Sequence, residues 1–319
     1  MAKKVRICAH NGRSGKNGVY NVSHNDRTAT RADEKDKHIA DELSQLNYYW
    51  SWNGEADFKK AEHDFYQARY GKTIEARNRR YIEKGHAEKV TSIDALLQNP
   101  KTCPQETILQ IGDRDHMQAL IKYFKDEKKA RQAIGEILKD AFEEYAGWVN
   151  NGNIHILDYA IHLDEPQGMA HIHVRTVYDY TDERGERKIS QNKALEKLGV
   201  ELPHQDKPQG RFNNRKMTYD AKTRKWWIAS VKSALNRFKS KYPQYAKVAD
   251  FLGNFELTPE KDRRHNLEKN DYILEKQKEQ IEKNARMIKY QDAFIEFVAE
   301  EEAEIERARG KKRDRGRGR

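Results

Sequence analysis

The chain has 319 residues, of which 36% are hydrophobic and 35% charged, and its formal net charge is +10. Its two cysteines, Cys8 and Cys103, form no CxxC pair, which excludes a zinc knuckle and a disulfide framework. No apolar run approaches the roughly 18 residues needed to span a membrane. The N-terminus lacks a signal-peptide pattern, which predicts a cytoplasmic protein, and the basic excess favours a polyanionic partner such as nucleic acid.

Predicted secondary structure alternates between short strands and long polar helices. In chain order we expect a strand over residues 5–10, a loop over 11–18, a polar helix within 54–90, a strand over 107–112, one or two helices over 116–149, strands over 154–163 and 170–180, a helix over 188–198, a basic loop over 203–216 and an amphipathic helix over 225–242. The strands on either side of residue 165 predict a β-hairpin.

The C-terminal part changes character near residue 260. Residues 266–309 are highly charged and contain no proline or glycine, and apolar residues recur there every seven positions. The heptad positions are Leu267, Leu274, Ile281, Ile288 and Ile295. The positions three residues on are mostly polar, so a dimerising coiled coil and a single helix folded back on the domain both stay open. The tail 310–319 is basic and low in complexity, which predicts disorder and loose phosphate contact.

Three histidines surround the predicted hairpin turn. His171 and His173 are two residues apart, so a strand places both rings on one sheet face, and His162 lies on the partner strand. Three imidazoles that converge make a half-open metal site with room for water or substrate oxygens. Asp164 and Glu165 beside the first ligand are suited to orient a ring or to act as a base. The plain alternative is a hairpin decorated with histidines.

Three segments of the chain resemble the motifs of the Mob/Pre (MobV) family of plasmid mobilisation relaxases. GKNGVYNVSHNDR (15–27) resembles the first motif, LNYYW (46–50) the second, and HLDEPQGMAHIH (162–173) the third. They occur in the family's order and cover roughly residues 1–200. The connection PQGMA is two residues longer than that of the family and lacks its Pro-His step.

The resemblance implies an α+β fold of the HUH-endonuclease type, with a central antiparallel sheet flanked by helices, followed here by a long C-terminal helical extension. It also implies a divalent metal ion held by the three histidines, with Mn²⁺ expected and Mg²⁺ or another divalent ion as alternatives. The implied reaction nicks one strand of single-stranded or supercoiled plasmid DNA at an origin of transfer. The enzyme becomes joined to the 5′ phosphate and leaves a free 3′ hydroxyl.

The catalytic roles follow from the same resemblance. The motif-one histidine, here His24, is the implied nucleophile. Glu165 is the candidate to orient or deprotonate that ring, and Arg27 is the candidate to hold the nonbridging oxygens as charge builds. Tyr48 and Tyr49 are the rival nucleophiles, as in most HUH nucleases, although aromatic runs more often form core or base-stacking surface.

Further DNA contacts are expected from basic and polar residues outside the metal site. The candidates are Arg13, Lys16, Asn47, Tyr48, Arg211, Arg215 and Lys216. We expect a relaxase domain over 1–200, an accessory DNA-binding region over 201–260, a long charged helix over 261–309 that mediates a homodimer if it forms a coiled coil, and a tail over 310–319.

Two other functions stay open at this level. One is an HUH replication initiator or transposase that nicks through tyrosine. The other is a non-catalytic DNA-binding protein whose histidines hold a structural metal, and it predicts no covalent adduct.

Overall fold

A computed structural model describes residues 5–14, 21–28, 39–166, 168–256 and 281. The chain divides into two compact units, residues 1–257 and 258–319, and the description concerns the first. The helix predicted over 261–309, with all of its heptad positions except Ile281, and the tail 310–319 lie outside the described residues.

Seven strands and nine α-helices make up the described part of the chain. The strands are β1 (Val5–Ser14), β2 (Tyr48–Ser51), β3 (Gln105–Ile111), β4 (Ile154–His162), β5 (His171–Thr181), β6 (Arg187–Ile189) and β7 (Phe255–Glu256). The helices are α1 (Val22–Asn25), α2 (Asp41–Ser44), α3 (Phe58–Glu83), α4 (Ile93–Gln98), α5 (Arg114–Phe124), α6 (Glu127–Val149), α7 (Gln191–Lys197), α8 (Arg215–Lys241) and α9 (Ala246–Gly253), with short 3₁₀ turns at Ala87–Lys89 and Pro243–Tyr245.

The strands form one sheet in the order β2-β4-β5-β3-β1-β7, and β6 pairs with the far end of β5. The β1–β7 pair is parallel, and the other pairs are antiparallel. The expected mixed α and β architecture, an antiparallel sheet flanked by helices, is therefore confirmed. No helix in the described ranges combines the length and the apolarity that a membrane crossing requires.

The main core lies on one sheet face, beneath α6 and α8. Helix α6 begins at Asp126, whose side chain accepts a hydrogen bond from the Lys129 backbone N–H. Its apolar residues recur at helical spacing, and Ile134, Leu138 and Ala141 are fully buried in the core. Strands β4 and β5 contribute the alternate apolar residues that point to this face.

Helix α3 covers only the far half of the other sheet face. Its aromatic residues Phe65, Tyr66 and Tyr70 form a second buried cluster with Leu157 and Val177 of the sheet. The near half of this face, where β4 ends and β5 begins, carries the histidines and lies beside α1. This sheet face therefore has a polar half that carries the histidines and an apolar half that is buried beneath α3.

The predicted hairpin is present, and its register determines which residues lie opposite each other. His162 lies directly opposite His171, and Ala160 lies opposite His173. The alternate residues Ile161 and Ile172 are fully buried in the main core. One sheet face therefore receives the imidazoles and the other receives the aliphatic side chains.

Several element boundaries differ from those expected. The segment expected as a loop over 11–18 begins as strand, because β1 continues to Ser14 through a register shift between Asn11 and Arg13. The helix expected over 188–198 is preceded by β6 and starts after Ser190, whose hydroxyl caps it. Helix α8 begins at Arg215, ten residues earlier than expected, where Asn214 caps it.

Candidate metal centre

Three imidazole rings converge at the turn end of the hairpin, where β4 ends and β5 begins. The ring centroids of His162 and His173 are 4.9 Å apart, as are those of His171 and His173, and the His162–His171 distance is 5.5 Å. His162 is fully buried and His173 is nearly so, whereas His171 is partly exposed. The structure thus brings together the three residues that the sequence nominated as metal ligands.

Each ring has one nitrogen that faces away from the cluster and meets an oxygen acceptor. The pairs are His162 Nε2 with the Asn25 carbonyl at 2.9 Å, His171 Nδ1 with the Met169 carbonyl at 3.0 Å, and His173 Nδ1 with the Glu106 carboxylate at 2.8 Å. A carbonyl or carboxylate oxygen only accepts, so the outer nitrogens carry the hydrogens. The inner nitrogens therefore present lone pairs to the centre, as metal-binding histidines do.

The inner nitrogens face one another across the centre of the cluster. His171 Nε2 and His173 Nε2 are 3.0 Å apart, and His162 Nδ1 is buried with no hydrogen-bond partner among the described residues. A shared proton or a metal cation between the two nitrogens satisfies a contact of this length. Metal–nitrogen bonds of about 2.0–2.1 Å at roughly right angles separate two ligand nitrogens by about 3 Å. The three histidines therefore belong to donor groups that could hold a divalent metal ion, one completed by His24 and the other by Glu165.

Burial keeps the deeper rings in the neutral form that a metal requires. It lowers the pKa of His162 to about 4 and that of His173 to about 3. Both rings are then neutral near pH 7, with their single hydrogen on the outer nitrogen. No proton competes with a metal ion for their inner nitrogens.

His24 lies beside this cluster, on the short helix α1. Its ring centroid is 5.3 Å from that of His162 and 5.8 Å from that of His173. Nitrogen or oxygen atoms from His24, His162 and His173 lie within 4.8 Å of one another, and the same holds for His162, Glu165 and His171. The candidate nucleophile and the candidate ligands thus share one site.

Glu165 Oε1 lies between the histidines. It is 3.5 Å from His24 Nε2, 3.6 Å from His162 Nδ1 and 3.8 Å from His171 Nε2. Burial alone would raise the pKa of Glu165, but the surrounding histidines outweigh it and hold this pKa far below its usual range. The carboxylate therefore stays ionised, in a position to orient His24, to stabilise positive charge on its ring or to support a bound cation.

Arg27 faces His24 from the other side. Its Nη1 is 3.1 Å from both ring nitrogens of His24 and donates to the His24 carbonyl at 2.9 Å. Its backbone has φ of 58°, a left-handed conformation that costs a residue with a Cβ about 1–2 kcal/mol. Two hydrogen bonds to Asp164, at 2.6 and 3.0 Å, and one to Glu165, at 3.1 Å, hold it there.

Asp164 anchors this arrangement from below. Besides Arg27, it accepts hydrogen bonds from Ser44 Oγ at 2.9 Å and Asn47 Nδ2 at 2.7 Å, and it is fully buried. Burial would raise the pKa of Asp164, but the hydrogen bonds and charge of Arg27 outweigh it, so the pKa is lowered. The carboxylate ties two segments of the chain, the turn after α1 and the connection from α2 to β2, to the end of β4.

Asn47 uses both ends of its amide inside the protein. Its oxygen accepts from the Leu163 backbone N–H at 2.7 Å, and its Nδ2 donates to Asp164 and, at 2.9 Å, to the Tyr49 hydroxyl. The structure therefore gives Asn47 a bracing position rather than a free amide for DNA.

The two candidate tyrosines lie on opposite faces of the sheet. Tyr48 pairs with Ile161 and packs against the main core, with the ammonium of Lys139 5.2 Å from its ring. Tyr49 pairs with Ala160 on the histidine face and is 42% exposed. The structure does not bring Tyr48 to the histidines, and among the two it leaves Tyr49 as the rival nucleophile. Burial raises the pKa of the Tyr49 hydroxyl, which makes it a poorer nucleophile at neutral pH.

The other candidate DNA contacts lie elsewhere. The basic loop is held against α7, since Arg215 bonds Glu196 and Gln209 bonds Asn192. The Arg211 guanidinium lies 5.4 Å from the ring of exposed Phe212. Lys16 lies outside the described residues, and of Arg13 only the backbone, paired with β3, is described.

Sequence reasoning missed two residues of the site, Glu106 and Asn25. Glu106 is the second residue of β3, whose sequence is QETILQI, and it reaches the outer nitrogen of His173. The available signal was a carboxylate directly before the segment 107–112 that was expected as a strand. Asn25 follows His24 in the HNDR motif and donates to Glu106 at 2.8 Å.

Comparisons of the chain with family models, curated proteins and solved structures found no match.

Proposed function

We propose that this protein is a metal-dependent, site-specific DNA nickase and strand transferase of the relaxase kind, with an HUH-type sheet. One observation carries the proposal: His24, Arg27 and Glu165 surround the three histidines with inward lone pairs. A structural metal site needs ligands alone. An arginine against a histidine that is itself beside a carboxylate supplies, in addition, the parts of a nucleophilic centre.

His24 would act as the nucleophile. One ring nitrogen uses its lone pair to form a bond to phosphorus, and the bond from phosphorus to the 3′ oxygen breaks. The proton on the other ring nitrogen of His24 passes through water to the 3′ oxygen, which leaves as a hydroxyl. A phosphoramidate to the 5′ phosphate remains, with an uncharged ring and the negative charge of the phosphate. The ionised Glu165 stabilises the ring while it is an imidazolium. Reversal of these steps rejoins the strand.

Arg27 would hold the nonbridging oxygens of the phosphate. Its Nη1 lies 3.1 Å from both ring nitrogens of His24, next to the position that a phosphate would take at either nitrogen. A bound Mn²⁺, Mg²⁺ or similar ion on His162, His171 and His173 would supply Lewis-acid polarisation of the phosphate. Asp164 would act through Arg27, by fixing the direction of the guanidinium.

The test is a nicking assay with Mn²⁺ and supercoiled plasmid or single-stranded DNA that carries a candidate origin of transfer. After denaturation, the wild-type protein should remain attached to the 5′ end, and acid should release it. His24→Ala should form no adduct, whereas Tyr49→Phe and Tyr48→Phe should form it. An acid-stable adduct that is lost in Tyr49→Phe would move the reaction to tyrosine and favour a replication initiator or transposase.

One observation favours a second candidate, a DNA-binding protein with a structural metal. His24 lies close enough to His162 and His173 to serve as a further ligand. Four protein ligands would close the coordination sphere. His24→Ala would then weaken Mn²⁺ binding strongly and no variant would form an adduct, whereas a nucleophilic His24 leaves Mn²⁺ affinity nearly unchanged.

A further inference from the structure

Glu106 is a carboxylate in the middle of the sheet with 0% exposure. One oxygen, Oε1, accepts from His173 Nδ1 and from Asn25 Nδ2, both at 2.8 Å, and Oε2 is buried without a partner among the described residues. Burial of a carboxyl group is costly unless its polar atoms are hydrogen-bonded. A hydrophobic residue would fill this place in the sheet at lower cost, so the hydrogen bonds of Glu106 to His173 and Asn25 point to a role for the carboxyl group.

Asn25 connects the same carboxylate to a second histidine. Its side chain donates to Glu106, its backbone carbonyl accepts from His162 Nε2 at 2.9 Å, and it is 1% exposed. It also follows His24 directly on α1. Two residues therefore touch the outer nitrogens of two candidate ligands and fix the helix that carries the candidate nucleophile.

We propose that Glu106 and Asn25 are positioning residues that prepare His162 and His173 for a divalent metal and lock α1 against them. This inference rests on the metal site of the proposed function. A carboxylate that accepts the Nδ1 hydrogen fixes the ring tautomer and raises the electron density at Nε2, which strengthens its bond to a cation. Asn25 holds the carboxylate in line with that hydrogen.

The first test measures Mn²⁺ affinity of the full chain by calorimetry, without DNA. We expect Glu106→Ala to weaken binding by about 100-fold and Glu106→Gln by about tenfold, since glutamine keeps the acceptor oxygen and removes the charge. Asn25→Ala should weaken it less, because the backbone carbonyl remains. Glu62→Gln is the matched control: Glu62 is a largely buried carboxylate that pairs with Arg175 instead of a histidine, and its affinity should equal that of the wild type.

A second readout separates positioning from simple stability. In the metal-free protein, ¹⁵N shifts of the His173 ring should show the hydrogen on Nδ1, and Glu106→Ala should convert it to a mixture of tautomers. Glu62→Gln should leave the shifts unchanged even where it lowers the melting temperature. Wild-type Mn²⁺ affinity in both Glu106 variants, or an unchanged His173 tautomer, would overturn the inference.

The two proposals fail in different ways. If no adduct forms on any DNA while the affinities follow the expected order, the nickase is wrong and the positioning roles stand. If the adduct forms and Glu106→Ala binds Mn²⁺ like the wild type, the nickase stands and the positioning roles are wrong. If the wild type binds no divalent ion, the positioning roles are also wrong.

Discussion

Arg27 and Asp164 form a two-pronged ion pair in which the carboxylate is fully buried and the guanidinium is 11% exposed. The pair links Arg27, in the turn after α1, to Asp164, which lies two residues after His162 at the end of β4. It fixes the guanidinium between His24 and Glu165, and it compensates for the left-handed backbone of Arg27.

Asp164→Ala should therefore destabilise the protein by about 3 kcal/mol, because it leaves a largely buried guanidinium without its main partner. Urea unfolding measures the change. Glu143→Gln is the control, since it removes an exposed pair with Lys139 on the surface of α6 and should shift the free energy of unfolding by less than about 0.5 kcal/mol. Equal effects of the two substitutions would show that the Arg27–Asp164 pair adds nothing to stability.

Gly135→Ala and Gly147→Ala should have opposite signs although both glycines lie in α6. A Cβ at Gly135 would lie 2.6 Å from Leu163 Cδ1, whereas a Cβ at Gly147 meets nothing within 4 Å. We expect the Gly135 variant to lose about 1–2 kcal/mol through overpacking, and the Gly147 variant to gain about 0.5–1 kcal/mol of helix propensity. Thermal unfolding of the pair checks this, and stabilisation by both would show that Leu163 moves aside freely.

Asp179 should make the protein acid-sensitive from the end of β5 remote from the histidines. It is fully buried and is bonded by His155, Tyr70 and Arg69. Burial raises its pKa, but the bonds from His155 and Arg69 outweigh this, so the pKa is lowered in the folded state. A lowered pKa stabilises the fold above the unfolded value of about 3.9 and loses that stabilisation as the pH falls.

Asp179→Asn should accordingly lower the free energy of unfolding by about 1.5–3 kcal/mol at pH 7 and by less at pH 3. Chemical unfolding at pH 7, 5, 4 and 3 gives the profile. A variant curve parallel to that of the wild type would mean that Asp179 does not titrate differently in the two states.

Mn²⁺ should stabilise the protein against unfolding. A ligand that binds only the folded state adds about 2.7 kcal/mol at 100 times its dissociation constant. His173→Ala should abolish this gain, because it removes one ligand. His86→Ala should keep it, since His86 is an exposed residue with Glu88 as its partner. A gain that survives in His173→Ala would place the bound ion elsewhere.

The hairpin and the clustering of its histidines could be predicted because the period of a strand is two, which places His171 and His173 on the same sheet face. The amphipathic part of α8 was predicted for the same kind of reason, and Trp227 and Val231 are fully buried. Its start was not predicted, because Asn214 lies within a run of loop-forming residues and only its hydrogen bond to the Met217 backbone marks it as a cap.

The outer partners of the histidines could not be predicted, because they depend on contacts between residues far apart in sequence. Glu106 reaches His173 only because β3 lies beside β5, and the Asn25 carbonyl reaches His162 across 137 positions. The opposite directions of Tyr48 and Tyr49 do follow from strand alternation, but β2 itself had not been recognised as a strand. The local sequence pattern predicts that the histidines cluster, and the sheet topology determines which residues hydrogen-bond to their outer nitrogens.

His162 pairs with His171 across the hairpin, so the histidine cluster forms only when the strands β4 and β5 pair in the correct register. A slip of β5 by one residue would turn both of its histidines toward α6 and expose Ile172 and Val174 in their place. A chain with β5 out of register therefore cannot keep the histidine cluster. If the cluster holds a metal ion as proposed, metal affinity reports strand register, and full binding marks a population in which the hairpin has closed correctly.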